Sequence, residues 1–240
     1  MDLKKTSVNP LRCLCLPDEP VRQTMRRLEG LPHGGFDVIE VGIGRRSLLE
    51  ASIKAIREST SYPLILAARG KKLTGARVKT YEQAIRHGWD WIDVDMESEK
   101  KLLQSLIERL QKKGTKTKLI LSVHDLILTT STRMIEDWIE HVRTLGKEVP
   151  TLPKVVVKIV ELQDILRIRN ITLKYAKRNI GIVLHGQGEK SRESRLIQAT
   201  AGSAVTYLCL SKKLSTSKGQ WTIADWNRRI RQQKPSTRKP

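Results

Sequence analysis

Two lysines stand inside one apolar run of the sequence, Lys154–Val160. Lys154, Val156 and Lys158 are two residues apart, so on a β-strand all three side chains point to one face. A buried ammonium is costly unless it loses its proton or finds a partner. Burial and a second ammonium nearby both lower the pKa of a lysine, and a neutral amine can form an imine with a ketone. The run therefore predicts a Schiff-base lysine, and the alternative is a lysine that opens the strand and only extends into solvent.

A histidine follows another apolar run. His124 comes directly after Leu119–Val123, where a buried strand would give way to its loop. Imidazole titrates near neutral pH, so a histidine there could transfer protons beside an imine. An isolated histidine is more often structural, and this alternative stays open. His185, after a later apolar run, is ambiguous for the same reason.

Other ionisable side chains also stand at or near the ends of apolar runs. They are Glu40, Arg69, Asp93, Asp95, Asp125 and Arg195. In a barrel of parallel strands these ends meet at one rim, which is where the active site of such a barrel lies.

The elements that would carry these residues alternate along the whole chain. Eight apolar runs have strand length: Leu11–Leu16, Phe36–Val41, Pro63–Ala68, Trp91–Asp95, Lys118–Ser122, Lys154–Val160, Ile180–Leu184 and Ala204–Leu208. Stretches with helical spacing of apolar residues follow them. Eight such pairs, at roughly 30 residues each, predict a single (β/α)₈ TIM barrel, an α/β fold, over residues 1–232. A doubly wound open sheet is the alternative, but Ser47 stands where the third glycine of its nucleotide-binding loop belongs.

Composition limits the classes of protein. The chain has 240 residues, is 39% hydrophobic and therefore can build a core. No apolar run approaches the roughly 18 residues of a membrane span, and the first residues lack the apolar region of a signal peptide, so we expect a cytoplasmic protein with no membrane association. Cys13, Cys15 and Cys209 are too few for a disulfide framework, and we expect reduced thiols in the core.

The chain is strongly basic, with a formal charge of +20. This charge favours an anionic partner of some kind. Nucleic acid is not the favoured one, because aromatic residues for base stacking are scarce at 4%. Part of the charge lies near the C-terminus, where we expect residues 233–240 to form a short flexible basic tail.

At the residues singled out above, the sequence resembles the type I 3-dehydroquinate dehydratases, Schiff-base (β/α)₈ enzymes of the shikimate pathway. Ser122-Val123-His124-Asp125 resembles the family's Ser-x-His-Asp motif, whose histidine is the general acid/base. Pro153-Lys154, with Asp164-Ile165-Leu166 ten residues after the lysine, resembles the segment that carries the imine-forming lysine. Lys158 is a rival for that role, because Lys158-Ile159-Val160 resembles the family's Lys-Ile-Ala.

The resemblance extends to segments that bind substrate. Ser194-Arg195-Leu196 is similar to the segment whose arginine binds the substrate carboxylate, and Arg69 matches a second substrate-binding arginine. Lys218-Gly219-Gln220 resembles the last strand–helix loop, whose glutamine contacts substrate. Thr216 stands where that loop usually has a serine.

The sequence departs from the family pattern at two strands. After the second strand the usual Glu-x-Arg-x-Asp reads Glu40-Val41-Gly42-Ile43-Gly44, so only the glutamate is kept. At the fourth strand, Asp95 stands where the family has a glutamate near the histidine.

The resemblance implies dehydration of 3-dehydroquinate, an anionic small molecule, to 3-dehydroshikimate. Lys154 would form the imine and His124 would move the protons, oriented by Glu40 or Asp95. The residues expected to bind substrate are Glu40, Arg69, Arg195, Thr216 and Gln220, and neither metal nor organic cofactor would be needed. We also expect a homodimer.

Three alternatives remain. They are a Schiff-base enzyme for another keto-acid, a non-catalytic homologue, and a barrel that binds nucleic acid with an affinity that falls steeply with salt.

Overall fold

A computed structural model describes residues 10–43, 48–68, 74–127, 130–188 and 190–233. In these residues strands and helices alternate. The strands are β1 (Leu11–Leu16), β2 (Val38–Ile43), β3 (Leu64–Ala68), β4 (Trp91–Asp95), β5 (Lys118–Asp125), β6 (Thr151–Lys158), β7 (Val183–Gln187), β8 (Val205–Cys209) and β9 (Trp221–Thr222). The helices are α1 (Val21–Glu29), α2 (Glu50–Glu58), α3 (Gly75–Arg86), α4 (Lys100–Leu110), α5 (Thr132–Leu145), α6 (Leu162–Lys177), α7 (Ser191–Thr200) and α8 (Ile223–Gln233).

The strands form one curled parallel sheet in the order β7-β6-β5-β4-β3-β2-β1-β8-β9. From β1 to β7 each strand pairs with its neighbours in sequence, and β8 returns to pair with β1, which is the order of a barrel rather than of a doubly wound sheet. At the seam between β7 and β8, the amide of Ala204 donates a hydrogen bond to the carbonyl of Ile182 at 2.8 Å. The predicted (β/α)₈ architecture is confirmed.

Both faces of the sheet are buried. Alternate residues fill the barrel interior: Cys13, Cys15, Val38, Ile65, Trp91, Ile120, Leu152, Val183, Val205 and Tyr207. The residues between them pack outward against the helices, and this explains why the strands read as continuous apolar runs rather than as alternating ones. All three cysteines are buried free thiols, as expected.

Several element boundaries differ from the sequence-based prediction. β7 begins at Val183 and not at Ile180, because the preceding turn extends through Asn179, which has a φ of 55°, and the Ile180 amide still bonds the carbonyl of Tyr175. His185 therefore lies within a strand. β9 was not predicted, since two residues carry no readable period.

At the C-terminus, α8 continues to Gln233, one residue past the predicted end of the barrel. The remainder of the predicted tail lies outside the described residues. Among the described helices, none has the length and apolar character needed to cross a membrane.

Candidate active site

Lys154 lies at the centre of the barrel interior. Its side chain points inward from β6 and the residue is only 8% exposed. The ammonium Nζ donates a hydrogen bond of 2.6 Å to Oδ2 of Asp93 on β4 and lies 3.7 Å from Oε2 of Glu40 on β2. It also lies over the ring of Tyr207 on β8, 4.6 Å from the ring centroid. One cation from β6 is therefore enclosed by two carboxylates and an aromatic face from three other strands.

This environment corrects the expected pKa of the lysine. Burial by itself lowers the pKa of Lys154, but the charges of Asp93, Tyr207 and Glu40 raise it, and the result lies well above the ordinary value. The prediction of a lowered pKa was wrong because it considered only residues of the same strand. The carboxylates come from strands far away in the sequence.

Lys158 occupies a different position. It shares the inward parity of Lys154, but it ends β6 and is exposed, and its Nζ donates to the carbonyl of Ile127 at 3.2 Å. The like-charge repulsion expected between the two lysines therefore does not control the pKa of Lys154. Of the two, Lys154 is the one held inside the barrel.

His124 and Asp95 face each other at the open rim above Lys154. His124 is near the end of β5, its side chain is 40% exposed, and its Nδ1 lies 3.7 Å from Oδ2 of Asp95. This distance is too long for a hydrogen bond but close enough for a charge interaction. Oδ1 of Asp95 accepts a hydrogen bond from the amide of Glu97 at 2.8 Å, which fixes the carboxylate at the end of β4.

Arg195 closes the site from α7. It is 4% exposed, and its Nη2 donates to Oγ of Ser217 at 2.7 Å. Its Nε is buried and has no hydrogen-bond partner among the described residues. Burial lowers the pKa of this guanidinium from its ordinary value, although a guanidinium keeps its charge at any pH of interest.

Thr216 and Gln220 are hydrogen-bonded to each other in the loop after β8. Oε1 of Gln220 accepts hydrogen bonds from the amide of Thr216 at 2.9 Å and from its hydroxyl at 3.2 Å. The Nε2 of Gln220 donates to the carbonyl of Leu208 at 3.2 Å. The two residues therefore shape the loop beside Arg195, and any substrate contact would compete with these bonds.

The chain was compared with known protein families, and one family matches it over nearly its whole length. A model of the family described as type I 3-dehydroquinase matches residues 12–235. The chain belongs to the type I 3-dehydroquinase family. The resemblance seen in the sequence is confirmed, and with it the class of enzyme, a hydro-lyase.

Curated relatives and solved structures agree with this membership. The 3-dehydroquinate dehydratase of Syntrophobacter fumaroxidans is 26% identical over 227 residues, which cover 89% of this chain and 92% of the relative. That of Methanocaldococcus jannaschii is also 26% identical, with coverage of 88% and 94%. The crystal structure of a type I 3-dehydroquinate dehydratase from Clostridium difficile, with covalently modified comenic acid, has a TM-score of 0.78 at 20% identity, with coverage of 95% and 93%. The structural likeness shows the type I 3-dehydroquinase fold.

Some positions of the type I 3-dehydroquinase motifs cannot be placed. Arg69 and Gly44 lie outside the described residues. Gly42 is buried in β2, two residues after Glu40 and on the same face, so the strand position where the family has an arginine carries no side chain.

Three inward-facing residues were not among the predicted site residues. Asp93 shares the face of Asp95, and its place inside an apolar strand was the signal that could have selected it. Tyr207 carries a polar atom inside another apolar strand, and its Oη is buried with no hydrogen-bond partner among the described residues. His185, judged ambiguous from the sequence, is buried and packs against the Tyr207 ring at a centroid distance of 5.7 Å. In the described part of the chain, no group of three or more His, Cys, Asp or Glu side chains is arranged to hold a metal ion.

Proposed function

We propose that this protein removes water from 3-dehydroquinate to give 3-dehydroshikimate, through an imine on Lys154. The observation that carries the proposal is the position of Lys154, the one buried lysine among the described residues, inside the barrel of a chain of the type I 3-dehydroquinase family. Its carboxylate neighbours and the histidine at the rim supply groups that such a reaction needs.

The first step is attack of the Lys154 amine on the ring ketone. The free ammonium must first lose a proton, and Asp93 at 2.6 Å is its nearest acceptor. Loss of the ketone oxygen as water then gives a protonated imine, whose positive charge occupies the place of the original ammonium. The carboxylates of Asp93 and Glu40, which favour a cation at this point, would stabilise the imine in the same way.

The second step is elimination. The protonated imine withdraws electrons and acidifies the neighbouring carbon. His124 takes a proton from that carbon, and the electron pair expels the hydroxyl of the next carbon, which leaves as water with a proton from His124. Asp95, 3.7 Å from the imidazole, would favour its charged form between these events. A water molecule finally hydrolyses the imine, so the net change is the loss of one water.

Substrate binding is assigned to the groups around the rim. Arg195 offers a buried guanidinium with one free N–H direction for the carboxylate. Gln220 and Thr216 would hold hydroxyl groups by exchanging part of their mutual hydrogen bonds. Arg69 keeps the binding role that its match to the family implies.

Borohydride trapping tests the proposal. The protein is incubated with 3-dehydroquinate and borohydride, and the adduct is located by intact mass and peptide mapping. We expect one reduced adduct on Lys154, its absence in Lys154→Met, and its retention in the matched variant Lys158→Met. An adduct on Lys158 would transfer the role to that residue, and no adduct on the folded wild-type protein would overturn the proposed function in favour of a non-catalytic homologue.

A second candidate is a Schiff-base enzyme for another keto-acid. Gly42 favours this second candidate, because the glycine leaves no side chain at the β2 position near Glu40 where the family has an arginine. Trapping with simple 2-keto and 3-keto acids, compared with 3-dehydroquinate at equal concentration, decides between the two.

We also propose that the protein is a homodimer. In the described ranges, six of the seven exposed large apolar side chains lie on the connections after β5 and β6 or in the first two turns of α5 and α6. They are Leu126, Ile127, Met134, Val160, Leu162 and Leu166. Such a concentration is typical of a surface that another protein covers.

A further inference from the structure

His185 is a buried polar side chain for which the described residues supply no polar partner. It faces the barrel interior from β7, level with Val156 of β6, and is 9% exposed. No described residue makes a hydrogen bond or an ion pair with its imidazole, whose contact is with the ring of Tyr207. Buried polar groups are nearly always hydrogen-bonded, so this imidazole takes its partner from the site itself, either water or a ligand.

The charges around His185 are positive. Arg195, Lys154 and His124 lie close enough to lower the pKa of the imidazole, and each disfavours a further cation. Together with burial they hold the pKa of His185 well below its ordinary value. The imidazole is therefore neutral at physiological pH, with one N–H to donate, and a cationic ligand is excluded.

The chain places Arg195 beside this histidine. The amide of Gly186, next to His185, donates a hydrogen bond of 3.2 Å to Oγ of Ser194, the residue before Arg195. The contact is close, since a Cβ on Gly186 would lie 2.9 Å from that Oγ. The start of α7 is thus fixed against the end of β7. The guanidinium of Arg195, whose Nε has no partner among the described residues, lies close enough to His185 to lower the pKa of the imidazole.

We propose that His185 is a specificity residue that donates a hydrogen bond to the carboxylate of the substrate, alongside Arg195. The inference rests on the proposed function and adds to it a residue that none of the sequence motifs includes. A neutral donor next to a guanidinium binds an anionic oxygen without adding another buried charge. A ligand that lacks the anion would leave two buried donors unpaired and would be rejected for that reason.

Quinate is the probe for this subsite. It has the carboxylate and hydroxyl groups of the substrate class but no ketone, so it binds without forming an imine. We expect His185→Met, which fills the same space without a donor, to raise the Kd for quinate about 10- to 100-fold. The amide nitrogens of His185→Asn and His185→Gln replace Nδ1 and Nε2 respectively, and we expect one of these variants to keep the Kd within about threefold of wild type.

The neutral analogue quinamide separates recognition of the anion from packing. Wild type should prefer quinate to quinamide, and the preference should shrink in His185→Met to the part that Arg195 supplies alone. If a folded His185→Met protein binds quinate with the same Kd as wild type, the proposal is overturned. Equal losses of quinate affinity in all three variants would also overturn it, and so would a wild-type protein that does not bind quinate.

The borohydride experiment on wild type keeps the two proposals apart. If wild type binds quinate with the expected dependence on His185 but gives no adduct with 3-dehydroquinate, the anion subsite stands and the dehydratase function fails. If an adduct forms on Lys154 but substitution of His185 leaves the quinate affinity unchanged, the dehydratase function stands and the anion subsite fails.

Discussion

In the proposed mechanism, the carboxylate of Asp93, 2.6 Å from Nζ, sets the pH at which Lys154 becomes a neutral amine. An amine attacks a ketone only in its neutral form, and below its pKa the neutral fraction rises tenfold with each pH unit. Asp93 raises the pKa of Lys154 both by its charge and by its hydrogen bond. Removing that charge should therefore make the neutral amine available at lower pH.

We predict that Asp93→Asn shifts the rising limb of the trapping rate to lower pH by about one unit or more. The measurement is the single-turnover rate of adduct formation on Lys154 between pH 6 and 10. The control is Glu136→Gln, which removes a carboxylate that contacts Lys174 on the outside of the barrel. A limb that stays in place, or moves to higher pH, would show that Asp93 does not govern the lysine proton.

Two tyrosines of the core give a matched pair for stability. Tyr207 has a buried hydroxyl with no hydrogen-bond partner among the described residues, whereas the hydroxyl of Tyr175 donates to Oε1 of Glu140 at 2.8 Å. An unsatisfied buried hydroxyl carries a desolvation penalty that its removal relieves.

We predict that Tyr207→Phe leaves the free energy of unfolding unchanged or raises it by about 1 kcal/mol, while Tyr175→Phe lowers it by about 1 kcal/mol. Urea unfolding monitored by circular dichroism measures both. Equal losses in the two variants would mean that the Tyr207 hydroxyl has a partner.

The start of α6 is fixed by one buried carboxylate. Oδ2 of Asp164 accepts hydrogen bonds from the amides of Val160 at 2.9 Å and Glu161 at 3.1 Å, and its Oδ1 accepts one from Arg167 at 2.9 Å. Burial by itself raises the pKa of Asp164, but the two amide bonds and the Arg167 guanidinium lower it, and the result lies below the ordinary value. The carboxylate pairs the amides of the two residues that precede α6, and it thereby fixes the connection between this helix and β6, the strand that carries Lys154.

We predict that Asp164→Ala lowers the free energy of unfolding by about 2 kcal/mol, because two amides lose their acceptor. The matched variant is Asp137→Ala, which removes the same charge from an exposed pair with Arg133 at 3.8 Å. We expect it to change stability by less than about 0.5 kcal/mol. Urea unfolding of both proteins at pH 7 is the measurement, and equal effects would contradict the capping role.

The alternation of strands and helices could be predicted because parallel strands buried on both faces read as apolar runs. β1 and β4 match the predicted ranges residue for residue. The start of β7 could not be predicted, since it depends on a backbone turn at Asn179 that no period signals.

The site was predictable only in part. The burial of Lys154 follows from its place in an apolar run, but its partner Asp93 is 61 residues away. Which inward-facing residues meet depends on strand register across the barrel, and this is set by packing of the whole sheet. Asp95 was chosen and Asp93 was not because the choice followed the match to the family's glutamate, although both aspartates share one face of β4.

The charge of the whole chain bears on how two copies could associate. Two subunits with a formal charge of +20 each repel one another at low ionic strength. In the proposed dimer, the exposed apolar side chains after β5 and β6 would supply the attraction that overcomes this repulsion. Salt screens the repulsion and leaves burial of apolar surface intact.

We predict that the mass in solution is about twice 27.3 kDa and that the dimer becomes tighter between about 50 and 300 mM salt. The reason is that an association held by apolar contact between like-charged subunits gains from screening, whereas binding of the same surface to nucleic acid weakens with salt. Light scattering coupled to size exclusion measures the mass. Val160→Lys with Leu162→Lys should give a monomer, and Leu49→Lys, at an exposed leucine away from that surface, should remain a dimer. A monomeric wild type at all salt concentrations, or a dimer that survives the double variant, would show that these side chains do not form the interface.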